Sequence, residues 1–245
     1  MGTTLRAQRR GGMLRRAGVL TLAALAIAGC SAGGTEPAEG EGSVAEETTT
    51  SAEATEQSSE DIEFSEDTVQ AAVEAAVPTS KVMTTEEIYA ATEEQVAKLE
   101  ESGSLDTCAD LGLQVQKLHL EERRPTVQAS VAEEALIAPG TVETVGVTPA
   151  GEIEGLDEVN DKLQEECQQE GTELIEDEKT VDGCEVVESQ YTRDEQPFRW
   201  GLTKTCQGVT ITYGTLATEG TDADYETWRA EADTRITNVF DQLAG

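Results

Sequence analysis

The 245-residue sequence contains a single histidine, 17 basic side chains against 50 acidic ones, and no unbroken apolar run of the roughly 20 residues that a membrane-spanning helix needs. Each shortage excludes something. With one histidine, any Ser-His-Asp or Cys-His arrangement must pass through His119, which is expected on a strand or loop and carries no local catalytic signature. It reads as a solvated or core histidine. A zinc site is disfavoured on the same ground, because one histidine and bridged cysteines do not supply four ligands. The deficit of lysine and arginine leaves a formal charge of −33, a field that repels phosphate backbones and anionic headgroups. Nucleic acid is therefore not an expected partner, while cations, cationic peptides or plain solubility suit that sign of charge. Asp222 and Asp224 are spaced like the start of a calcium loop, but the glycine and distal glutamate of such a loop are missing. These two acids read instead as the opening of a helix, whose dipole favours them. Paired carboxylates for glycoside chemistry carry no information when 50 acids are on offer. No internal repeat is evident. The composition thus points to no catalytic residue, no metal and no cofactor.

What is present begins at the N-terminus. Arg6, Arg9, Arg10, Arg15 and Arg16 precede a stretch of leucine, valine and alanine from Ala17 to Ala28, with no acid among them. This is the charge layout of an export signal, too short to stay in the bilayer as a span. Arg15-Arg16 is similar to a twin-arginine signal, and counting from Met13 gives a compact signal of ordinary layout. The segment ends Ile27-Ala28-Gly29-Cys30, which resembles the lipobox of bacterial lipoproteins. The resemblance implies cleavage of residues 1–29, a diacylglycerol on the Cys30 thiol, and anchorage on the extracytoplasmic face of the cell membrane. At about 0.8 kcal/mol per buried methylene, two or more acyl chains hold a protein stably where one does not. Loss of residues 1–29 takes away five arginines and no acid, leaving a formal charge of −38.

No lysine or arginine lies between Arg16 and Lys81, and residues 31 to about 62 are glycine, serine, threonine, alanine and glutamate with almost no large apolar side chain. Such a chain cannot bury enough surface to offset its ordering entropy. Residues 30–64 therefore read as a lipidated, disordered, acidic tether, reaching roughly 30 Å from the membrane as a flexible coil. Its hydroxyl-rich steps, Thr48-Thr49-Thr50-Ser51 and Ser58-Ser59, are open to glycosylation. Residues 65–245 have the length of one domain.

Within that domain the patterning predicts an α+β fold, a small antiparallel sheet packed against helices and closed by a long C-terminal helix. Ser65-Glu66-Asp67 opens a helix with Val69, Ala72, Val73 and Ala76 on one stripe, ended by Pro78. The capping box Thr84-Thr85-Glu86-Glu87 opens a second, with Ile88, Thr92, Val96 and Leu99 at helical spacing before Gly103. A third runs near Leu156 to Gln168 with Leu156, Val159, Leu163 and Cys167 on one face. Leu113–Leu120 and Thr141–Thr148 are expected to be strands. Phe198, Trp200, Leu202 and Cys206 alternate, Gln207-Gly208 supplies a two-residue turn, and Val209, Ile211 and Tyr213 alternate after it. Folding about that turn pairs Cys206 with Val209, Lys204 with Ile211, Leu202 with Tyr213 and Trp200 with Thr215. The stripe Tyr225, Trp228, Ala232, Ile236, Val239, Phe240 and Leu243 supplies the cover for that face, so the aromatic cluster is expected to be core.

Setting Cys30 aside, Cys108, Cys167, Cys184 and Cys206 make an even number in an exported domain, which implies two disulfides. A hairpin of Gly183–Arg193 with Phe198–Cys206 about a loop at Asp194–Gln196 sets Cys184 opposite Cys206. The alternation of Val187 and Tyr191 favours a register one residue away, and a single bulge reconciles the two. Cys184–Cys206 with Cys108–Cys167 ranks first; Cys167–Cys184 with Cys108–Cys206 ranks second.

A helix ending in cysteine at Leu163–Cys167, strands bearing Cys184 and Cys206, and a closing helix with Trp228 resemble the PknH-like extracellular sensor domains of actinobacterial envelope proteins, over residues 155–245 at most. The resemblance implies a mixed helix and sheet fold with two disulfides and a cleft for a ligand, and it carries over no binding residue. The expectation is a non-catalytic, membrane-anchored binding or sensor module of the cell envelope, its partner an envelope ligand or protein. The alternatives are an accessory subunit of an envelope complex and, third, a hydrolytic enzyme.

Overall fold

The computed structural model of the protein describes residues 62–103, 105–138, 140–167, 172–193, 196–217 and 225–245. Cys30, most of the tether and the acids Asp222 and Asp224 lie outside the described residues. The fold is α+β, with seven antiparallel strands in one open sheet and five α-helices among the described residues. In chain order the elements are α1 (Glu66–Ala76), β1 (Thr79–Met83), α2 (Thr85–Glu101), α3 (Thr107–Glu122), β2 (Val127–Val131), a 3₁₀ turn (Glu133–Ala135), β3 (Thr141–Pro149), α4 (Leu156–Cys167), β4 (Thr172–Val181), β5 (Cys184–Arg193), β6 (Gln196–Cys206), β7 (Val209–Ala217) and α5 (Tyr225–Ala244). The strands lie in the order β1-β2-β3-β7-β6-β5-β4.

Local chemistry sets most of these boundaries. α1 carries Glu66 and Asp67 in its first turn, buries Val69, Ala72 and Val73, and ends at Val77 because the residue before a proline is driven out of helical geometry. α2 has the full reciprocal cap, Thr84 accepting from the Glu87 N–H while the Glu87 carboxylate accepts from the Thr84 N–H at 3.0 Å. Gly103, at φ +72°, lies just beyond its end. Both tight hairpins, at Asp182-Gly183 and Gln207-Gly208, have positive φ at both turn residues, the mirror-image turn whose twist matches the flanking strands.

The strand expected at Leu113–Leu120 is instead the body of α3. Its leucines and glutamines alternate, but Asp106 accepts from the Ala109 N–H at 2.8 Å and caps a run of strong helix formers. Ile62 and Phe64, assigned to the tether by their position, already pack on the core, and the Ile62 N–H donates to the Gln207 carbonyl at 2.8 Å. They are the first large apolar side chains after the acidic stretch, and the core takes them.

The main core lies on one face of the sheet. Val127, Ala129 and Val131 of β2, Val145 and Val147 of β3, Val209, Ile211 and Tyr213 of β7 and Trp200 and Leu202 of β6 meet α1 and the Trp228, Ala232, Ile236, Val239 and Phe240 stripe of α5. The β6–β7 register is the expected one, with Cys206 opposite Val209, Leu202 opposite Tyr213 and Trp200 opposite Thr215. The other face carries small polar side chains, including threonine pairs Thr203–Thr212 at 3.1 Å and Thr205–Thr210 at 3.0 Å. α2, α3 and α4 form a second helical group, with buried Ile88, Tyr89, Leu111, Leu113 and Leu156 outside the main core. Thr85 and Tyr89 join α2 to the approach of β2, their hydroxyls donating to the carbonyls of Thr126 and Arg124 at 3.0 Å each.

Candidate functional site

The registers place two rows of side chains across the core face beneath α5. One row runs Gln190, Trp200, Thr215, Glu143; the next runs Glu188, Leu202, Tyr213, Val145. A carboxylate therefore stands near each side of a central aromatic group. Trp200 and Trp228 have ring centroids 5.5 Å apart, Trp200 meets Tyr225 edge-on at 5.4 Å, and Tyr213 lies 6.0 Å from Trp228. These spacings are those of favourable aromatic pairs.

The Glu143 side chain has no exposed surface. Its Oε1 accepts from the Ile137 and Ala138 N–H groups at 3.0 and 2.9 Å, and its Oε2 accepts from the Tyr213 hydroxyl at 2.7 Å. Arg235 of α5 donates to the Tyr213 oxygen at 2.6 Å and to the Ala135 carbonyl at 2.6 Å, and stands 3.9 Å from Glu143 Oε2. Tyr213 thus bridges the pair, accepting from the arginine and donating to the carboxylate. Burial, with the adjacent Glu143 charge, raises the Tyr213 pKa far above the ordinary phenol value, so the hydroxyl remains a donor.

Glu188 repeats the combination on the far side. It accepts from Lys179, from Arg229 Nε at 2.8 Å and from the Tyr225 hydroxyl at 3.3 Å. Burial raises its pKa, but the hydrogen bonds from Lys179 and Arg229 outweigh that effect and hold it below the usual carboxylate range. Burial and the Glu188 charge push Tyr225 up to about 12. Between the two networks, Trp200 Nε1, Trp228 Nε1 and Thr215 Oγ1 are buried with no hydrogen-bond partner.

The Glu143 network fixes the loop between β2 and β3, and that loop separates two grooves. One, of about 800 Å³, runs between the loop and α5, lined by Ala135, Leu136, Ile137, Ala230 and the acids Glu134, Glu226 and Glu231. The other, also about 800 Å³, opens where β2 and β3 part, beside Ser80, Ser130, Leu136 and Val142.

The four cysteines expected to pair form two bridges. Cys108–Cys167 joins α3 to α4 with Cα atoms 5.4 Å apart, and Cys184–Cys206 joins β5 to β6 with Cα atoms 4.8 Å apart. Cys184 and Cys206 are opposite each other in the ladder, and the register shifts between Tyr191 and Thr192, the single irregularity that reconciles the two readings of this hairpin. The loop is one residue shorter than expected, since Arg193 already pairs with Gln196. His119 lies near the end of α3, where burial and the Arg124 charge lower its pKa and favour the neutral imidazole. Among the described residues no cluster of three or more His, Cys, Asp or Glu side chains is arranged to hold a metal ion, and no helix is long and apolar enough to cross a membrane.

Sequence reasoning missed the two Glu–Arg–Tyr networks. The available signal was parity: Glu143 is in step with core Val145 and Val147, and Arg235 stands beside core Ile236 within the α5 stripe. No protein-family model matches the chain, and no curated protein matches it.

Proposed function

We propose that this chain is a lipid-anchored, non-catalytic binding module of the extracytoplasmic side of the cell membrane, the role implied by the resemblance to PknH-like sensor domains. The observation that carries the reading is the groove between the β2–β3 loop and α5. Its apolar residues Leu136 and Ile137 belong to a loop held by backbone donation to a fully buried carboxylate. Burying Glu143 costs free energy that an apolar side chain of similar size would not. What it adds is position: the loop wall is set before any ligand arrives, and preorganisation lowers the entropic cost of binding. The lipobox ending in Cys30 supports the anchorage, and two disulfides suit an oxidising compartment.

The groove combines an apolar wall with the acids Glu134, Glu226 and Glu231 and with Arg235, which stands 3.8 Å from Glu231, and the surplus of acid fits a ligand with an apolar body and a cationic group. The test is thermal unfolding of the full chain against lipid, glycan and peptide fractions of an envelope extract, since a ligand that binds only the folded state raises Tm by mass action. One fraction is expected to raise Tm, and Ala230→Trp, which fills the groove from an exposed position on α5, is expected to abolish the rise without lowering Tm in buffer. Turnover of common hydrolase substrates that is lost on His119→Ala would overturn the reading in favour of an enzyme.

A further inference from the structure

The sheet has two edges, and they are defended unequally. β1 is five residues long, its pairing with β2 is interrupted between Thr79 and Lys81, and that lysine is exposed. Short length, a bulge and an edge lysine are the means by which sheets resist unwanted pairing. β4 is ten residues long and pairs with β5 without a break from Thr172 to Val181. Among the described residues it has no neighbour in the sheet on its other side. The two-residue turn at Asp182-Gly183 makes Val181 and Cys184 a hydrogen-bonded pair, so the odd-numbered residues of β4 turn their backbone groups to β5. The backbone groups of Glu178 and Thr180 therefore point to the open side.

The side chains of β4 alternate between the faces. Ile175, Asp177, Lys179 and Val181 lie on the core side of the sheet, opposite Gln190, Glu188, Val186 and Cys184. The two apolar residues, 48% and 41% exposed, flank two charges of opposite sign. Run antiparallel against itself, this order is self-complementary. A two-fold axis normal to the sheet sets one residue opposite its own copy, and that residue fixes every other pair. With Glu178 on the axis, Ile175 meets Val181 twice, Asp177 meets Lys179 twice, and Glu176 falls opposite the neutral Thr180. Only Glu178 then faces a like charge. An axis at Asp177 opposes Asp177 to itself and Glu176 to Glu178 twice, and an axis at Lys179 opposes the two lysines. Opposite charges directly across a sheet stabilise it and like charges destabilise it, which singles out the Glu178 register.

We propose that a second copy of this chain pairs antiparallel with the β4 edge, about a two-fold axis at Glu178, to make one continuous sheet. Lys179 gives a hydrogen to Glu188 of its own chain, and its ammonium has two more to offer. Asp177 stands directly opposite Glu188, so Lys179 of the second copy brings a cation to two neighbouring carboxylates. The contact is isologous and closes at two copies, because both edges that remain are the defended β1. The single like-charge contact at the axis keeps the pairing reversible. The overall charge of −33 opposes association, so the pairing is measured at physiological salt, where exposed charges more than about 8 Å apart are largely screened. The proposal is independent of the α5 groove, so either can fail alone.

The test is sedimentation of the full chain up to its highest soluble concentration, together with oxidation of single-cysteine variants in a Cys30→Ala background. A concentration-dependent dimer is expected. Glu178→Gln removes the like-charge contact and is expected to tighten the dimer by up to about fivefold. Asp177→Lys opposes two lysines on each side of the axis and is expected to abolish it. Glu101→Lys, the same charge change at an exposed position on α2, is expected not to weaken it. Glu178→Cys is expected to give a disulfide-linked dimer, because Cα atoms across a hydrogen-bonded pair are about 5.5 Å apart, within the span of a bridge. Asp177→Cys is expected to give none, since its copies stand two residues out of step, beyond about 7 Å. Bridging of the Glu178→Cys chain alone, with loss of the dimer on Asp177→Lys, establishes the register. A chain that is monomeric at every concentration leaves the edge to another protein or to none and overturns the proposal. Equal bridging by the two cysteine variants, or a dimer indifferent to Asp177→Lys, overturns it as well. Should Asp177→Lys fail to fold, the two cysteine variants still decide.

Discussion

A carboxylate with no exposed surface persists only where its oxygens are occupied, and Glu143 meets that condition with two backbone donors and a tyrosine. Trp228 shows the opposite logic. Its ring is 1% exposed and touches three other aromatic rings, while its Nε1 has no partner, so its contribution comes from area and ring contacts and not from a hydrogen bond. Trp228→Ala is expected to destabilise the protein by about 3 to 5 kcal/mol, the range for truncating a buried aromatic. Denaturant unfolding checks this, and a change below about 0.5 kcal/mol means that the ring is not part of the core. Glu188 gives a pH signature. Its folded-state pKa is depressed, so the stability it contributes is present above the unfolded carboxylate value, about 4.3, and is lost as pH falls through the lower folded value. The Tm difference between the natural protein and Glu188→Gln should be greatest near neutral pH and close in acid. A gap that is constant with pH would mean that Lys179 and Arg229 do not act on a charged partner.

Among the elements, legibility followed how many faces an element buries. β6 and β7 show alternation because their core face is apolar and their other face is threonine, and the Gln207-Gly208 turn fixed the register to the residue. α5 is readable for the same reason, one stripe against one sheet. β5 misleads in part, because Val187 on the face away from the core is also buried, at 3% exposure, so its apolar pattern argued for the wrong parity near the bridge. α3 was read as strand because Leu113 to Leu120 alternates and because its fixing contacts come from outside the segment: the Asp106 cap and the bridge from Cys108 to α4. β2 does alternate, Val127, Ala129 and Val131 against Gln128 and Ser130, and Asp182-Gly183 does close β4, but β1 and β2 are only five residues long and β4 carries charge on both faces, so these signals went unread. The candidate groove was illegible for a further reason. Its wall depends on a glutamate meeting residues near in sequence, Ile137 and Ala138, together with Tyr213 and Arg235, which are distant. Only the strand order brings β3 and β7 together beneath α5.

For the whole molecule the proposed anchorage raises the question of what would hold an acidic, disulfide-stapled domain at a membrane surface. Its charge of −33 gives no attraction to anionic headgroups, and no described helix is long and apolar enough to span the bilayer. Cys108, Cys167, Cys184 and Cys206 are consumed in bridges, which leaves Cys30 as the one thiol open to acylation. Cys30→Ala is therefore expected to abolish labelling by a radioactive or clickable fatty acid, and either to release the protein to the medium or to leave it unprocessed with its signal attached. Folding of the domain should be unaffected, because Cys30 lies more than thirty residues before α1, and this keeps a loss of label from being explained by misfolding. Intact bridges, checked by peptide mapping without reductant, provide that control. Label retained on the Cys30→Ala protein would refute lipid anchorage at this junction, and the groove beside α5 would then have to serve a protein that is secreted or held by some other contact.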